Sequence, residues 1–265
     1  MQIGFIGIGN MGEAILRGAL RGGLVLPSRV SAYDPNTAKL NLLQQELGVV
    51  AAADAEQLVA GSDIILLAVK PNVCASVLSR LAEPLAGKAL ISIAAGWSQQ
   101  RLANLLPDSV RVLRVMPNTP ALVGCGMSVF ECGDTLSADE KTFAEKLFAS
   151  IGHVTSVESR LMDAVTAVSG SGPAYVYMFI EALADGGVRE GLPRALAYEL
   201  AAQTVCGGAE MVLQTAAHPG VLKDNVCSPG GTTIEAVAAL EEKGMRSAVL
   251  EAVRVCAVKS ALMSK

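Results

Sequence analysis

The chain has 265 residues, 51% of them apolar and 17% charged, with a net charge of −4. That length fits one large domain or two ordinary ones, with enough apolar residues for a substantial core. The weakly acidic balance and the lack of basic runs argue against nucleic acid as a partner, and the shortage of charge to cover the exterior points to an extensive oligomer interface.

The start, Met1-Gln2-Ile3-Gly4-Phe5, has neither the basic opening nor the apolar core of a signal peptide. A strand is predicted over Gln2–Ile8, a helix over Met11–Arg21, a strand over Val30–Tyr33 and a helix over Lys39–Leu47. Ile64–Val69, Ala89–Ile93 and Val110–Val115 read as buried strands without polar alternation. Buried strands separated by helices imply a doubly wound, mostly parallel sheet. Asp139–Ser150 reads as a further helix behind the cap Ser137, with Glu140 completing a capping box, and His153–Val157 as a last strand.

From Ser159 onward strand-like runs vanish. Helices are predicted over Arg160–Ser169, Pro173–Glu190, Pro193–Ala217, Thr233–Lys243 and Arg246–Lys265. The domain boundary is therefore expected near residue 157, dividing the chain into 1–157 and 158–265. The helical half is too apolar to stand alone, which predicts a helical dimer interface. Long uncharged stretches such as Val115–Phe130 and Ala164–Ile180 contain Gly, Pro, Ser or Asn and read as buried segments, not membrane spans.

Gly7-Ile8-Gly9-Asn10-Met11-Gly12 matches Gly-x-Gly-x-x-Gly between a strand and a helix, the setting of a dinucleotide-binding turn. The first glycine permits the turn, the second admits the pyrophosphate and the third allows helix–strand packing. Asp34 ends the second strand, where an acid takes the ribose 2′-hydroxyl and disfavours a 2′-phosphate; its other reading is a cap for the next helix. The first reading leans toward NADH, with NADPH left open. Ala68-Val69-Lys70-Pro71 and Met116-Pro117-Asn118-Thr119-Pro120 each follow a buried strand, where open sheets bind ligands. They are candidates for the nicotinamide end, or proline-stiffened turns with Lys70 a solvated lysine.

Late in the chain, Asn225-Val226-Cys227-Ser228-Pro229-Gly230-Gly231-Thr232-Thr233 precedes a helical pattern. A helix start carries unpartnered N–H groups and partial positive charge, and the two glycines let a ligand approach the backbone. This is a site for a small anion such as a carboxylate, or an ordinary N-cap. The six cysteines form no Cys-x-x-Cys pair, and with two histidines no metal site is expected. Reduced thiols in a cytoplasmic protein are the simplest account, with Cys227 a packing residue.

The whole set of motifs resembles pyrroline-5-carboxylate reductase. The resemblance rests on Phe5–Met11, Ala68–Pro71, Arg114–Pro120, Ser169–Tyr175, Ala182–Val188, Gly191–Pro193 and above all Leu222–Thr233. It implies an N-terminal Rossmann domain followed by an all-α domain that interlocks with a second subunit. It also implies reduction of (S)-1-pyrroline-5-carboxylate to L-proline by NADPH or NADH. By resemblance Asn225, Ser228, Gly230, Gly231, Thr232 and Thr233 hold the substrate, with the Thr233 hydroxyl at the imine nitrogen. Many NADPH-using relatives carry Arg where this chain has Tyr33-Asp34. A β-hydroxy-acid dehydrogenase of the same layout would need a lysine acid or base, and Lys223 is the only lysine in the C-terminal site segment Leu222–Thr233. A dinucleotide sensor acting through partners would not need Asn225–Thr233.

Overall fold

The computed structural model describes residues 1–263. Strand β1 (Ile3–Ile6) feeds helix α1 (Asn10–Arg21); β2 (Val30–Tyr33), α2 (Thr37–Leu47), β3 (Val50–Ala51) and α3 (Ala55–Ala60) follow. Then come β4 (Ile64–Leu67), α4 (Pro71–Leu81), β5 (Ala89–Ser92), α5 (Gln99–Ala103) and β6 (Arg111–Met116). Strand β7 (Gly126–Glu131), α6 (Ala138–Ala149) and β8 (Gly152–Val157) complete one sheet in the order β3-β2-β1-β4-β5-β6-β7-β8. All pairings are parallel except β6 with β7. Strand order reverses between β1 and β4, which makes their carboxyl ends the switch point of the sheet.

Alternating side chains build a core on each face. Ile3, Phe5, Ile64 and Leu66 pack with Ile15 and Leu16 of α1 and Leu147 and Phe148 of α6. Ile65, Leu67 and Leu90 pack on the other side with Leu58 of α3, Leu78 of α4 and Leu102 of α5. Each such side chain, fully removed from water, contributes about 1.5–3 kcal/mol. Burial pushes the Cys74 thiol in this second layer up to about 12, so it stays protonated and packs as a small apolar group.

Strand β7 departs from the sequence expectation, which took Val115–Phe130 only as a buried uncharged stretch. Its run Gly-Met-Ser-Val-Phe-Glu mixes small, polar and apolar residues; after a tight turn over Thr119–Val123 it pairs antiparallel with β6 and parallel with β8. Arg114 on β6 pairs with Glu131 on β7 at 3.0 Å in a nearly dry setting, and Glu131 also accepts from Ser159.

Beyond β8 the predicted helix over Arg160–Ser169 is divided into a short turn, α7 (Met162–Val165) and a wide helical turn over Thr166–Gly170. The Thr166 and Ser169 hydroxyls donate to carbonyls four residues back, which competes with regular helix. Helices α8 (Gly172–Arg189), α9 (Arg194–Thr215), α10 (Pro219–Val226), α11 (Thr232–Glu242) and α12 (Met245–Met263) follow.

The chain divides into two compact units. One comprises Met1–Ser171 with the C-terminal stretch that begins at Cys256; the other is Gly172–Val255. In the first, Ser260 Oγ donates to Asp163 at 2.7 Å. The second has a buried core of only Ala184, Ala197 and Ala201. Met178, Leu213 and Leu250 are at least 70% exposed there. A helical unit with so small a core needs a further apolar surface against it.

The predicted capping box on α6 is present: Ser137 Oγ accepts from the Glu140 N–H, and Glu140 accepts from the Ser137 N–H. Arg111 adds two hydrogen bonds, of 2.6 and 2.8 Å, to the same carboxylate. The Arg111 hydrogen bond is the main reason the Glu140 carboxyl sits below its usual range. A depressed carboxylate stabilises the fold above the unfolded pKa and loses that contribution as pH falls through the folded one. Glu140→Gln should therefore cost about 1–2 kcal/mol at pH 7. Denaturant titrations of both proteins should show the gap closing as the solution is acidified below the usual carboxylate range.

Candidate functional site

The switch point is built by two helices that begin without a side-chain cap. Around the sheet, α2 is capped by Asn36, α3 by Asp54, α5 by Ser98 and α6 by Ser137. Helices α1 and α4, which follow β1 and β4, have no such bond. Their first N–H groups point out of the carboxyl edge of adjacent strands, with the positive ends of two helix dipoles. Such a pair of helix starts suits a phosphate-bearing ligand.

The glycines of the first turn divide by what surrounds them. Gly7 has φ +92°, and a Cβ there would lie 2.6 Å from the Ala68 carbonyl oxygen. At Gly12 a Cβ would meet the Gly7 carbonyl oxygen at 2.4 Å. At Gly9 it would meet nothing within 4 Å. Gly7 and Gly12 are thus required by packing, while Gly9 leaves open space at the helix start. Asn10 and Met11 form the first turn of α1 beside it.

Asp34 serves this turn directly. Its Oδ2 accepts from the Ile8 N–H at 2.7 Å and its Oδ1 from the Asn36 N–H at 2.9 Å. The alternative reading of Asp34 as helix cap is corrected, because Asn36 accepts from the Lys39 N–H and caps α2. Ala68 and Val69 leave β4, with the Ala68 N–H donating to the Ile6 carbonyl. Lys70 stands exposed at the α4 start and Pro71 occupies its first turn. Gly7–Gly12, Asp34 and Ala68–Pro71 are therefore gathered at the β1–β4 edge. Asn118 follows β6, and its carboxamide spans two backbone groups: it donates to the Ser169 carbonyl and accepts from the Met127 N–H.

Trp97 was not anticipated from the sequence. Its indole N–H donates to the Pro71 carbonyl at 3.0 Å, and the Arg101 guanidinium stacks 4.1 Å from its ring centroid. It is the only tryptophan in the chain, which was the available signal.

In the second unit, the segment read as one long polar approach is partly helical. Asn225 lies in the last turn of α10, and Cys227 ends that helix. Ser228–Gly231 form a tight turn closed by the Gly231 N–H on the Ser228 carbonyl. Gly230 has φ +65°, and α11 starts at Thr232 with Gly231 before it and no side-chain cap. The ordinary-cap reading therefore fails in this structure. Among the described residues, the side chains of Asn225, Ser228, Thr232 and Thr233 engage in no hydrogen bond, so their polar groups remain available beside the bare helix start. Lys223 pairs with Asp224, and that hydrogen bond raises its pKa, the opposite of what a general base needs. No group of acids, histidines and cysteines able to hold a metal ion occurs among the described residues.

Fold and site define a two-part dinucleotide-dependent oxidoreductase. Residues 2–96 match the family model of NADP oxidoreductases, coenzyme F420-dependent, and residues 159–263 match that of pyrroline-5-carboxylate reductase dimerisation. Pyrroline-5-carboxylate reductase of Escherichia coli K12 is 47% identical over 265 residues, covering 100% of this chain and 98% of its own. The solved structure of the Plasmodium falciparum enzyme with NADP bound superposes with a TM-score of 0.90 at 34% identity, over 100% of this chain and 98% of that one. The Coxiella burnetii reductase gives 0.92 at 33% identity, with the same coverage of both chains. The chain belongs to the pyrroline-5-carboxylate reductase family.

Gly9→Ala and Gly12→Ala should separate the two kinds of glycine. In chemical denaturation Gly9→Ala should stay within about 0.5 kcal/mol of the parent, while Gly12→Ala should lose about 1–3 kcal/mol through overpacking.

Proposed function

We propose that the chain is a proline-forming reductase whose substrate is held at the start of α11. The reaction is the NAD(P)H-dependent reduction of (S)-1-pyrroline-5-carboxylate to L-proline, the final step of proline biosynthesis. The observation that carries the site is the bare start of α11, with two glycines before it and the hydroxyls of Ser228, Thr232 and Thr233 unengaged.

The nucleotide, when bound, supplies a hydride to the imine carbon C5. Residues 1–157 seat it: Gly7, Ile8, Gly9, Asn10, Met11 and Gly12 at the pyrophosphate, Asp34 at the ribose, and Ala68, Val69, Lys70, Pro71 and Asn118 toward the nicotinamide end. Residues 158–265 hold the substrate and form the homodimer. The N–H groups at the start of α11 and the Gly230-Gly231 backbone take the substrate carboxylate, assisted by Asn225, Ser228 and Thr232. The Thr233 hydroxyl donates a hydrogen bond to the ring nitrogen and orients the ring. A threonine hydroxyl is too weak an acid to supply the proton itself, so water delivers it as the imine becomes an amine. Most of the acceleration comes from holding C5 over the nicotinamide.

We also place the enzyme in the cytoplasm. No helix among the described residues is long and apolar enough to cross a membrane, and the six cysteines are unpaired, which suits a reducing compartment.

Purified protein mixed with pyrroline-5-carboxylate should consume NADH or NADPH and release proline. A folded protein that binds dinucleotide but turns over neither coenzyme would refute the reading. Thr233→Ala should lower kcat by roughly 10–1000-fold with dinucleotide affinity retained; unchanged turnover removes the hydroxyl from the mechanism. Gly9→Val should abolish dinucleotide binding, as seen by loss of the nicotinamide fluorescence change.

A further inference from the structure

Glu13, one turn into α1, holds two cations. Lys39 Nζ lies 2.7 Å from its Oε2, and Arg17 Nε lies 2.7 Å from its Oε1. The other end of the Arg17 guanidinium is 2.6 Å from Glu46. Burial pushes the Glu13 carboxyl up, but the hydrogen bonds from Lys39 and Arg17 together outweigh it and hold the group below its usual range. Glu13 therefore holds its two cations as a carboxylate at neutral pH.

Its place in the fold gives it consequence. Lys39 sits in the first turn of α2, three residues past the cap Asn36, whose own N–H is bound by Asp34. Asp34 in turn holds the Ile8 N–H of the glycine turn. The corner where β2 ends thus presents one carboxylate, Asp34, and one cation, Lys39, already committed to Glu13. NADPH differs from NADH only by a phosphate on the adenosine ribose, and a protein recognises that phosphate with cations offered beyond the second strand.

We infer that Glu13 is a specificity-determining residue that biases the enzyme toward NADH, by withholding Lys39 from a 2′-phosphate. The inference rests on the reading that the Gly7–Gly12 turn seats the dinucleotide. It adds to Asp34, which repels the phosphate directly, a second device that removes the phosphate's counter-charge.

Titration calorimetry of NAD+ and NADP+ against the full-length protein tests it. The parent should bind NAD+ more tightly. Glu13→Gln should tighten NADP+ by about five- to tenfold and change NAD+ by less than about twofold. The gain should disappear in Glu13→Gln combined with Lys39→Met and should shrink with added salt. Lys39→Met alone should leave NADP+ affinity unchanged, since the lysine is already withheld. This variant keeps the test open if Glu13→Gln melts at too low a temperature. Equal affinity of the parent for both nucleotides, an unaltered ratio in Glu13→Gln, or weaker NADP+ binding in Lys39→Met overturns the inference and leaves the seat of the dinucleotide intact. Failure of the folded parent to bind either nucleotide overturns the underlying reading instead.

Discussion

The close approach of α1 to the strands beneath it is the constraint on which the first unit depends. Gly12 lies so near the Gly7 carbonyl and Ala68 that even a methyl group does not fit, and Gly18 is as tightly placed against Ile151. A helix seated this deeply cannot tilt away from the β1–β4 edge. Its unpartnered N–H groups are therefore aimed at one small volume, and that of α4 is placed next to it by strand pairing of Ile3–Ile6 with Ile64–Leu67. Rigidity of packing, more than any one polar contact, fixes where a negatively charged ligand feels both dipoles.

The outer hydrogen bonds refine this frame. Asp34 ties the glycine turn to the start of α2, and Trp97 ties the start of α4 to the loop after β5. Both hydrogen bonds are made to backbone groups. The ends of β1, β2 and β4 consequently behave as one cross-linked rim, and their loops lack the freedom usual for connections at a sheet edge. In the second unit α11 starts from a turn that leaves hydroxyls and N–H groups without internal partners, so satisfaction there must come from outside the unit.

Much of this was legible in the residues. Uninterrupted apolar runs at Ile64–Leu67 and Ala89–Ser92 mark buried parallel strands, and Ser137 with Glu140 marks the start of α6. The fingerprint at Gly7–Gly12 marks the turn between β1 and α1, and the Asn225–Thr233 segment marks the turn before α11. What stayed hidden depends on long-range partners. Strand β7 is a strand because β6 and β8 flank it, and its own residues have weak strand preference. Helix α10 is only about two turns long, and its Pro, Gly, Lys, Asp and Asn leave few apolar positions to show a pattern. The engagements of Asp34 with Ile8 and of Glu13 with Lys39 cross 26 residues each (34 − 8 and 39 − 13), and no local pattern announces them.

The path of α12 has a consequence for how the protein comes into being. The helix begins in the second unit, while its stretch from Cys256 belongs to the first, where Ser260 meets Asp163 across 97 residues of chain. A ribosome delivers the sheet early and this stretch only after the helices of the second unit. The first unit therefore waits, incomplete, through synthesis of every helix between, and its closure is an event of high sequence separation. A chain cut short before Cys256 would lose part of the unit that was made first.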